Sequence, residues 1–290
     1  MPSSPRSIAR RREAPRQPAP PFNRSMPAKF SLEQIREHWK QQALEHGQAP
    51  SASWSDRMVI EMEVREILKH LAKGDRILDV GCANGYSTVQ YASQLEVDIR
   101  GIDNIPEMVA QARRRLADFH GRLPGTVEFV EGDVMAIPGP SDTYDKVIAV
   151  RVMINLGTWA RQQAALLECA RVLKPGGLLV LSEASLQGWQ RLNNFRKEWQ
   201  LADIPMPPFN QYLDENLLVE AVAPHLELLE LVNFASTYYV GTRVIKPLLS
   251  RALGGIVDAA NPDLEWNRWF SMLPPSGDYG TQKLFLFRKS

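Results

Sequence analysis

LDVGCANGYS, residues 78–87, is the stretch that decides the fold. It completes a short apolar run, RILDV (76–80), and then places Gly81 and Gly85 four residues apart, with Ala83 between them. Glycines just after a strand let the backbone approach a ligand closely, and a helix that starts there presents free N–H groups. The dinucleotide fingerprint G-x-G-x-x-G does not fit, because the next glycine after Gly85 is Gly101. A phosphate loop needs a lysine after its last glycine, and none follows here. What remains is D-x-G-x-x-x-G, formed by Asp79, Gly81 and Gly85. An acid at the carboxyl end of the strand would repel a diphosphate. It would attract a cation, or accept hydrogen bonds from an ammonium group.

Outward from this turn the chain alternates regularly. RILDV is followed by a helix from about Tyr86 to Gln94, and VDIRGID (97–103) reads as a second strand. Pro106 opens the next helix at its preferred first-turn position and Phe119 closes it. TVEFVEGD (126–133) and YDKVIAV (144–150) are the third and fourth strands. A helix over about 158–173 runs into a KPGG turn, and LLVLSEA (178–184) is the fifth strand. Near-continuous apolar strands alternating with helices predict a parallel sheet covered on both faces. Before this core, Ser31 and Gln34 form a capping-box spacing for a helix over 31–46, and Ser55 or Asp56 caps a second helix reaching Leu71. After residue 185 the rhythm breaks. Residues 186–212 and 246–280 read as irregular or partly helical insertions, with a helix at about 213–223 and strand-like stretches at 226–240 and 281–289. The predicted class is α/β: a Rossmann-like, doubly wound, mostly parallel seven-stranded sheet with an antiparallel edge hairpin and a helical, aromatic lid. Four segments follow: a disordered Arg/Pro-rich tail (1–28), an N-terminal helical cap (29–72), the core (73–185), and lid insertions with the last two strands (186–290).

Composition bounds the function. The chain has 290 residues, 44% apolar and 23% charged, with a net charge of +1. Such a balance supplies no global field toward nucleic acid or a membrane surface, so neither partner is expected. Residues 1–28 carry six arginines and seven prolines without an apolar stretch of signal-peptide type. No apolar run approaches the roughly 18–20 residues that span a bilayer. Cys82 and Cys169 form no metal-spaced cluster, so no metal is expected, and a reducing, cytoplasmic setting is the default.

Four stretches together resemble the class I S-adenosylmethionine-dependent methyltransferases, of the small-molecule type found in ubiquinone and menaquinone biosynthesis. They are ILDVGCANG, RGIDNIPEMVAQAR, FVEGDVMAIP and ARVLKPGGLLVLSE, in family order and spacing over about residues 74–184. The first departs from the family's D/E-x-G-x-G-x-G at Ala83. The cofactor implied is S-adenosylmethionine, which carries an ammonium and a sulfonium and no phosphate, matching the sign of the turn. The resemblance assigns Gly81, Cys82, Ala83 and Gly85 to the turn under the methionine portion and Asp79 to its amino group. Asp103, with Asn104 beside it, would accept from the ribose hydroxyls. Asp133, Val134 and Met135 would meet the adenine. Val150, at the end of the fourth strand, would lie next to the cofactor, and Trp54, just before the helix leading to the turn, would cover it. Ala83, lacking glycine's freedom, is expected at ordinary negative φ.

Acceptor chemistry is expected beyond the carboxyl ends of the strands, where Arg151, Asn155 and Glu183 stand. Glu183 is the best-placed carboxylate for a base, Arg151 suits an anionic acceptor, and none of the five histidines follows a strand of the parallel set. Fourteen of the 24 aromatic residues lie in 186–290, which points to an aromatic pocket wall. The function implied is methyl transfer to oxygen or nitrogen of a small molecule such as a sugar or polyketide. Transfer to RNA or protein, and a non-catalytic nucleotide-binding role, stay open, as does the oligomeric state, a homodimer included.

Overall fold

The computed structural model describes residues 29–121 and 123–290, so the expected tail lies outside the described residues. The sheet contains β1 (Arg76–Val80), β2 (Asp98–Asp103), β3 (Thr126–Glu131), β4 (Tyr144–Val150), β5 (Leu173–Ala184), β6 (Leu226–Val232) and β7 (Gln282–Lys289). Their order is β3-β2-β1-β4-β5-β7-β6. The first five are parallel, and β7 enters antiparallel between β5 and β6. This is the predicted doubly wound sheet with an antiparallel pair at one edge. Leu173 pairs with Tyr144 and Leu178 with Lys146, so the KPGG residues bulge out of the β4–β5 ladder.

Alternation within the strands builds two cores. Leu78, Val80, Val147, Ala149, Leu179, Leu181, Phe285 and Phe287 face α5 (Trp159–Val172) and α7 (Glu215–Val222). Ile77, Ile99, Ile148, Val180, Leu284 and Leu286 face α2 (Arg57–Leu68), α3 (Tyr86–Gln94) and α6 (Leu186–Glu198). α4 (Pro106–Ala117) packs Val109 and Ala112 on Phe129 of β3. α1 (Leu32–His46) starts on the predicted capping box of Ser31 and Gln34, and α2 is capped by Asp56, which accepts from the Val59 N–H.

Two insertions differ from expectation. Residues 186–198 form α6, started by the Ser185 cap, although their aromatic and asparagine content suggested irregular chain. The strand-like stretch 226–240 ends at Val232, and the chain turns into one helical run: α8 (Ser236–Val240), a π turn (Gly241–Ile245) and α9 (Lys246–Ala252). In this helical run Tyr238 and Tyr239 are buried in the same apolar cluster as residues of α2 and Phe270 of α10 (Glu265–Phe270), a burial that favours the helical form. Among the described residues no helix is long and apolar enough to cross a membrane.

Candidate functional site

The carboxyl ends of β3, β2, β1 and β4 stand in a row, and a cleft of about 720 Å3 opens over them. Its floor is the predicted turn. Gly81 has φ +66, and a Cβ there would run into the Val152 side chain. Gly85 has φ +71 and serves as N-cap of α3, but it does not line the cleft: a side chain there would strike Phe129 and Ala112. Its role is close packing of turn against sheet. Ala83 corrects the expectation of negative φ, since it sits at φ +48. Left-handed backbone costs an L-residue about 1 kcal/mol. The Ala83 N–H donates to Asp103 Oδ2 at 2.9 Å, which holds the turn in that shape.

Three carboxylates follow along the row. Asp79 is 4% exposed and accepts the Thr88 hydroxyl at 2.5 Å. Burial pushes its pKa up to about 7, against the Thr88 hydrogen bond, which pulls it down. Asp103 caps nothing by helical convention, yet its Oδ1 accepts the Ile105 N–H at 2.9 Å while Oδ2 holds Ala83. Burial raises its pKa to about 6. Both are carboxylates kept dry and poised, which costs free energy unless a cation or donor joins them. Asp133 is exposed at the next tip, and its Oδ1 accepts the Met135 N–H at 2.8 Å, which shapes the turn bearing Val134 and Met135. Cys82 lines the cleft as a small buried thiol whose pKa burial raises well above the usual thiol value.

The opposite wall comes from the segment expected to form the N-terminal cap, although sequence reasoning did not single out its individual lining residues. Leu32, Ile35, Arg36, Trp39 and Lys40 of α1 line the cleft, together with Ser53, Tyr86 and Ser87. Arg36 clips α1 to the site by donating to the Asn104 carbonyl at 3.3 Å, and Lys40 pairs with Glu107 of α4 at 3.7 Å. The signal available was the i, i+3, i+7 spacing of Leu32, Ile35 and Trp39, which marks one apolar face of a helix but not what it faces. No residue beyond Arg161 lines the cleft, so the aromatic lid expected from residues 186–280 does not form its wall. Those aromatics pack instead: Trp189 on Tyr212, Trp266 and Trp269 on Phe270, and Phe209 on His38 and Trp39 from outside α1. His38 is thereby turned out of the cleft lining, its pKa lowered by burial.

Of the three expected catalytic residues, two line the cleft. Arg151 follows β4 at φ +54 and pairs with Glu63 of α2. Its guanidinium lies 5.0 Å from the centre of the Trp54 ring, so Trp54 backs Arg151 and does not itself line the cleft. Asn155 lines it, but its amide is engaged: Nδ2 donates to the Arg151 carbonyl at 2.6 Å and Oδ1 accepts from Asn210 Nδ2 at 3.0 Å. Glu183 is the correction. It is fully buried, does not line the cleft, and accepts the N–H groups of Val152 and Met153, both at 2.7 Å. Burial raises its pKa to about 8. A carboxylate at the tip of β5 was visible in sequence; that it turns inward to hold the loop after β4 was not. Among the described residues no group of His, Cys, Asp or Glu could hold a metal ion.

Known proteins match this architecture. Residues 77–177 match the family model described as "Methyltransferase domain". An O-methyltransferase of Penicillium expansum, cnsE, is 31% identical over 137 residues, which is 46% of this chain and 48% of that protein. The demethylmenaquinone methyltransferase of Symbiobacterium thermophilum is 36% identical over 118 residues, 40% of this chain and 45% of that one. The chain thus spans about half the length of these curated relatives. A chain from the complex between the Haloferax volcanii Trm112 methyltransferase activator and a putative methyltransferase superposes with TM-score 0.56 at 18% identity, covering 87% of this chain and 96% of that chain. At that identity the likeness shows the fold alone.

Proposed function

We propose that this chain is a class I S-adenosylmethionine-dependent methyltransferase that transfers a methyl group to an oxygen or nitrogen of a small-molecule acceptor, a reading supported by the methyltransferase-domain match and the methyltransferase relatives. One observation carries the reading: Asp79, Asp103 and Asp133 stand at successive strand tips around a glycine turn in a single cleft. That row suits an elongated ligand with a cationic amino acid at one end and a nucleoside at the other. S-adenosylmethionine, when bound, supplies an activated methyl group on sulfur. Asp79 would hold the ammonium, Asp103 the ribose hydroxyls, and the Asp133–Met135 turn the adenine, with Ile105 and Met108 packed near it.

The acceptor would lie between α1 and the loop after β4, against Leu32, Ile35, Trp39 and Leu156, with Arg161 beside them. Among the described residues no histidine lines the cleft. Alignment of the acceptor with the methyl group therefore supports catalysis here more than proton removal by a dedicated base does. The O-methyltransferase relative favours oxygen as the acceptor atom. Calorimetry should show binding of S-adenosylmethionine and S-adenosylhomocysteine but not of NAD. Transfer of a labelled methyl group to a panel of phenols, sugars and polyketide-like compounds then identifies the acceptor. Failure of both adenosyl ligands to bind would refute the reading.

A further inference from the structure

We propose that Arg151 is the ligand for the α-carboxylate at the amino-acid end of the cofactor, not a residue of the acceptor pocket; this rests on the cofactor reading above. The strand tips set the direction. Asp133 follows β3, Asp103 ends β2, Gly81 follows β1 and Arg151 follows β4, in that spatial order. Neighbouring strands are about 4.8 Å apart, so the row spans about 15 Å, the length scale of a nucleoside joined to an amino acid. With the nucleoside over β3 and β2, the amino-acid end falls at β4. Ser53, Tyr86 and Ser87 carry hydroxyls and also line the cleft. A carboxylate in that corner needs a cation, and Asp79 can serve only the ammonium beside it.

Arg151 is built for this. Its left-handed backbone is a costly conformation for a long side chain, and it turns the residue back over α2. Glu63, 1% exposed, pairs with the guanidinium through Oε2. Its other oxygen accepts Ser182 Oγ at 2.5 Å and Gln282 Nε2 at 3.0 Å, so Glu63 has no freedom to follow a moving partner. The Trp54 ring takes one face of the guanidinium. Among the described residues the side chain makes no hydrogen bond other than that to Glu63. A guanidinium has five N–H donors in a planar fork, so donors are left for a second carboxylate. Glu63 and Trp54 are thus positioning residues, and the ligand carboxylate would complete the set.

The test compares S-adenosylmethionine with decarboxylated S-adenosylmethionine, which keeps the ammonium, sulfonium and nucleoside but lacks the carboxylate. In calorimetry the unmodified protein should prefer the first by about tenfold to a hundredfold, as expected for a hydrogen-bonded charge pair. Arg151→Gln should erase that preference by weakening the first ligand and leaving the second within about twofold. Arg151→Lys should restore part of it. Because Arg151→Gln leaves Glu63 unpaired, the double variant with Glu63→Gln provides a neutral, hydrogen-bonding pair if the single one fails to fold. An unchanged preference in these variants, or equal loss for both ligands, overturns the assignment. A parent protein that binds neither ligand removes the cofactor reading itself, and this assignment with it.

Discussion

On the proposed reading, affinity for S-adenosylhomocysteine should rise with pH through neutrality, because the carboxylates proposed to hold it are buried. Asp79 has its pKa raised from 3.8 to about 7 and Asp103 from 3.8 to about 6, with burial the leading cause for both. Asp103 and Glu63 add repulsion at Asp79, and Thr88 opposes it by a hydrogen bond. If the ligand's ammonium and ribose hydroxyls need both groups ionised, each protonated fraction lowers the apparent affinity. At about pH 6 the Asp79 factor is roughly 11 and the Asp103 factor roughly 2, whereas both are near 1 at about pH 8. The Kd for S-adenosylhomocysteine should therefore tighten by about 20-fold between these values, about 1.8 kcal/mol. Titration calorimetry in two buffers of different ionisation enthalpy would count the protons released, close to one per ligand at about pH 6.5. Asp79→Asn should remove most of the slope. A Kd that stays flat over this range in the parent protein, with no proton release, refutes the idea that dry carboxylates form the site. The sign for stability is the reverse. The folded pKa lies above the unfolded one, so the cost of burying these charges is absent below about pH 4. It grows until about pH 7, and the unliganded protein should lose stability across that window.

Three further outcomes are expected. Asp103→Ala should raise the Kd for S-adenosylhomocysteine by about 10- to 150-fold, since each hydrogen bond to a charged group is worth about 1.5–3 kcal/mol; parent-like affinity in calorimetry would count against its role. Glu183→Ala should cost about 1–3 kcal/mol in urea unfolding, because buried N–H groups of Val152 and Met153 lose their acceptor. The more conservative Glu183→Gln should keep cofactor affinity within about threefold, and a large loss would restore Glu183 to the site. Gly81→Ala should weaken cofactor binding and lower Tm, because its Cβ meets Val152 at positive φ; the companion change Val152→Ala should recover part of the Tm, as expected when one clash is relieved.

How much of this was legible beforehand follows from what each residue's neighbours are. Asp79, Asp103 and Asp133 could be placed at strand ends because a parallel strand's identity and direction are written in its own apolar run and in the glycine or proline after it. Ala83 was misjudged because local sterics set only the cost of positive φ, while a carboxylate 20 residues away supplies the hydrogen bond that holds it. Glu183 was misjudged for a similar reason: being at a strand tip fixes position but not the direction in which a side chain satisfies its hydrogen bonds. α1 was found as a helix from its capping box, yet only packing against α4 and Asn104 makes it the wall of the cleft. The aromatic surplus after residue 185 was real, and it was spent on packing outside the site. By itself, then, the sequence determined the strand–helix alternation, the turn and the charge of the groups that follow it, because these depend on residues close together in the chain. The tertiary structure alone decided which helix closes the cleft, which carboxylate turns inward and which cation is left with donors to offer. Those outcomes depend on contacts between segments such as α2, β4 and β7, which meet only after the sheet has formed.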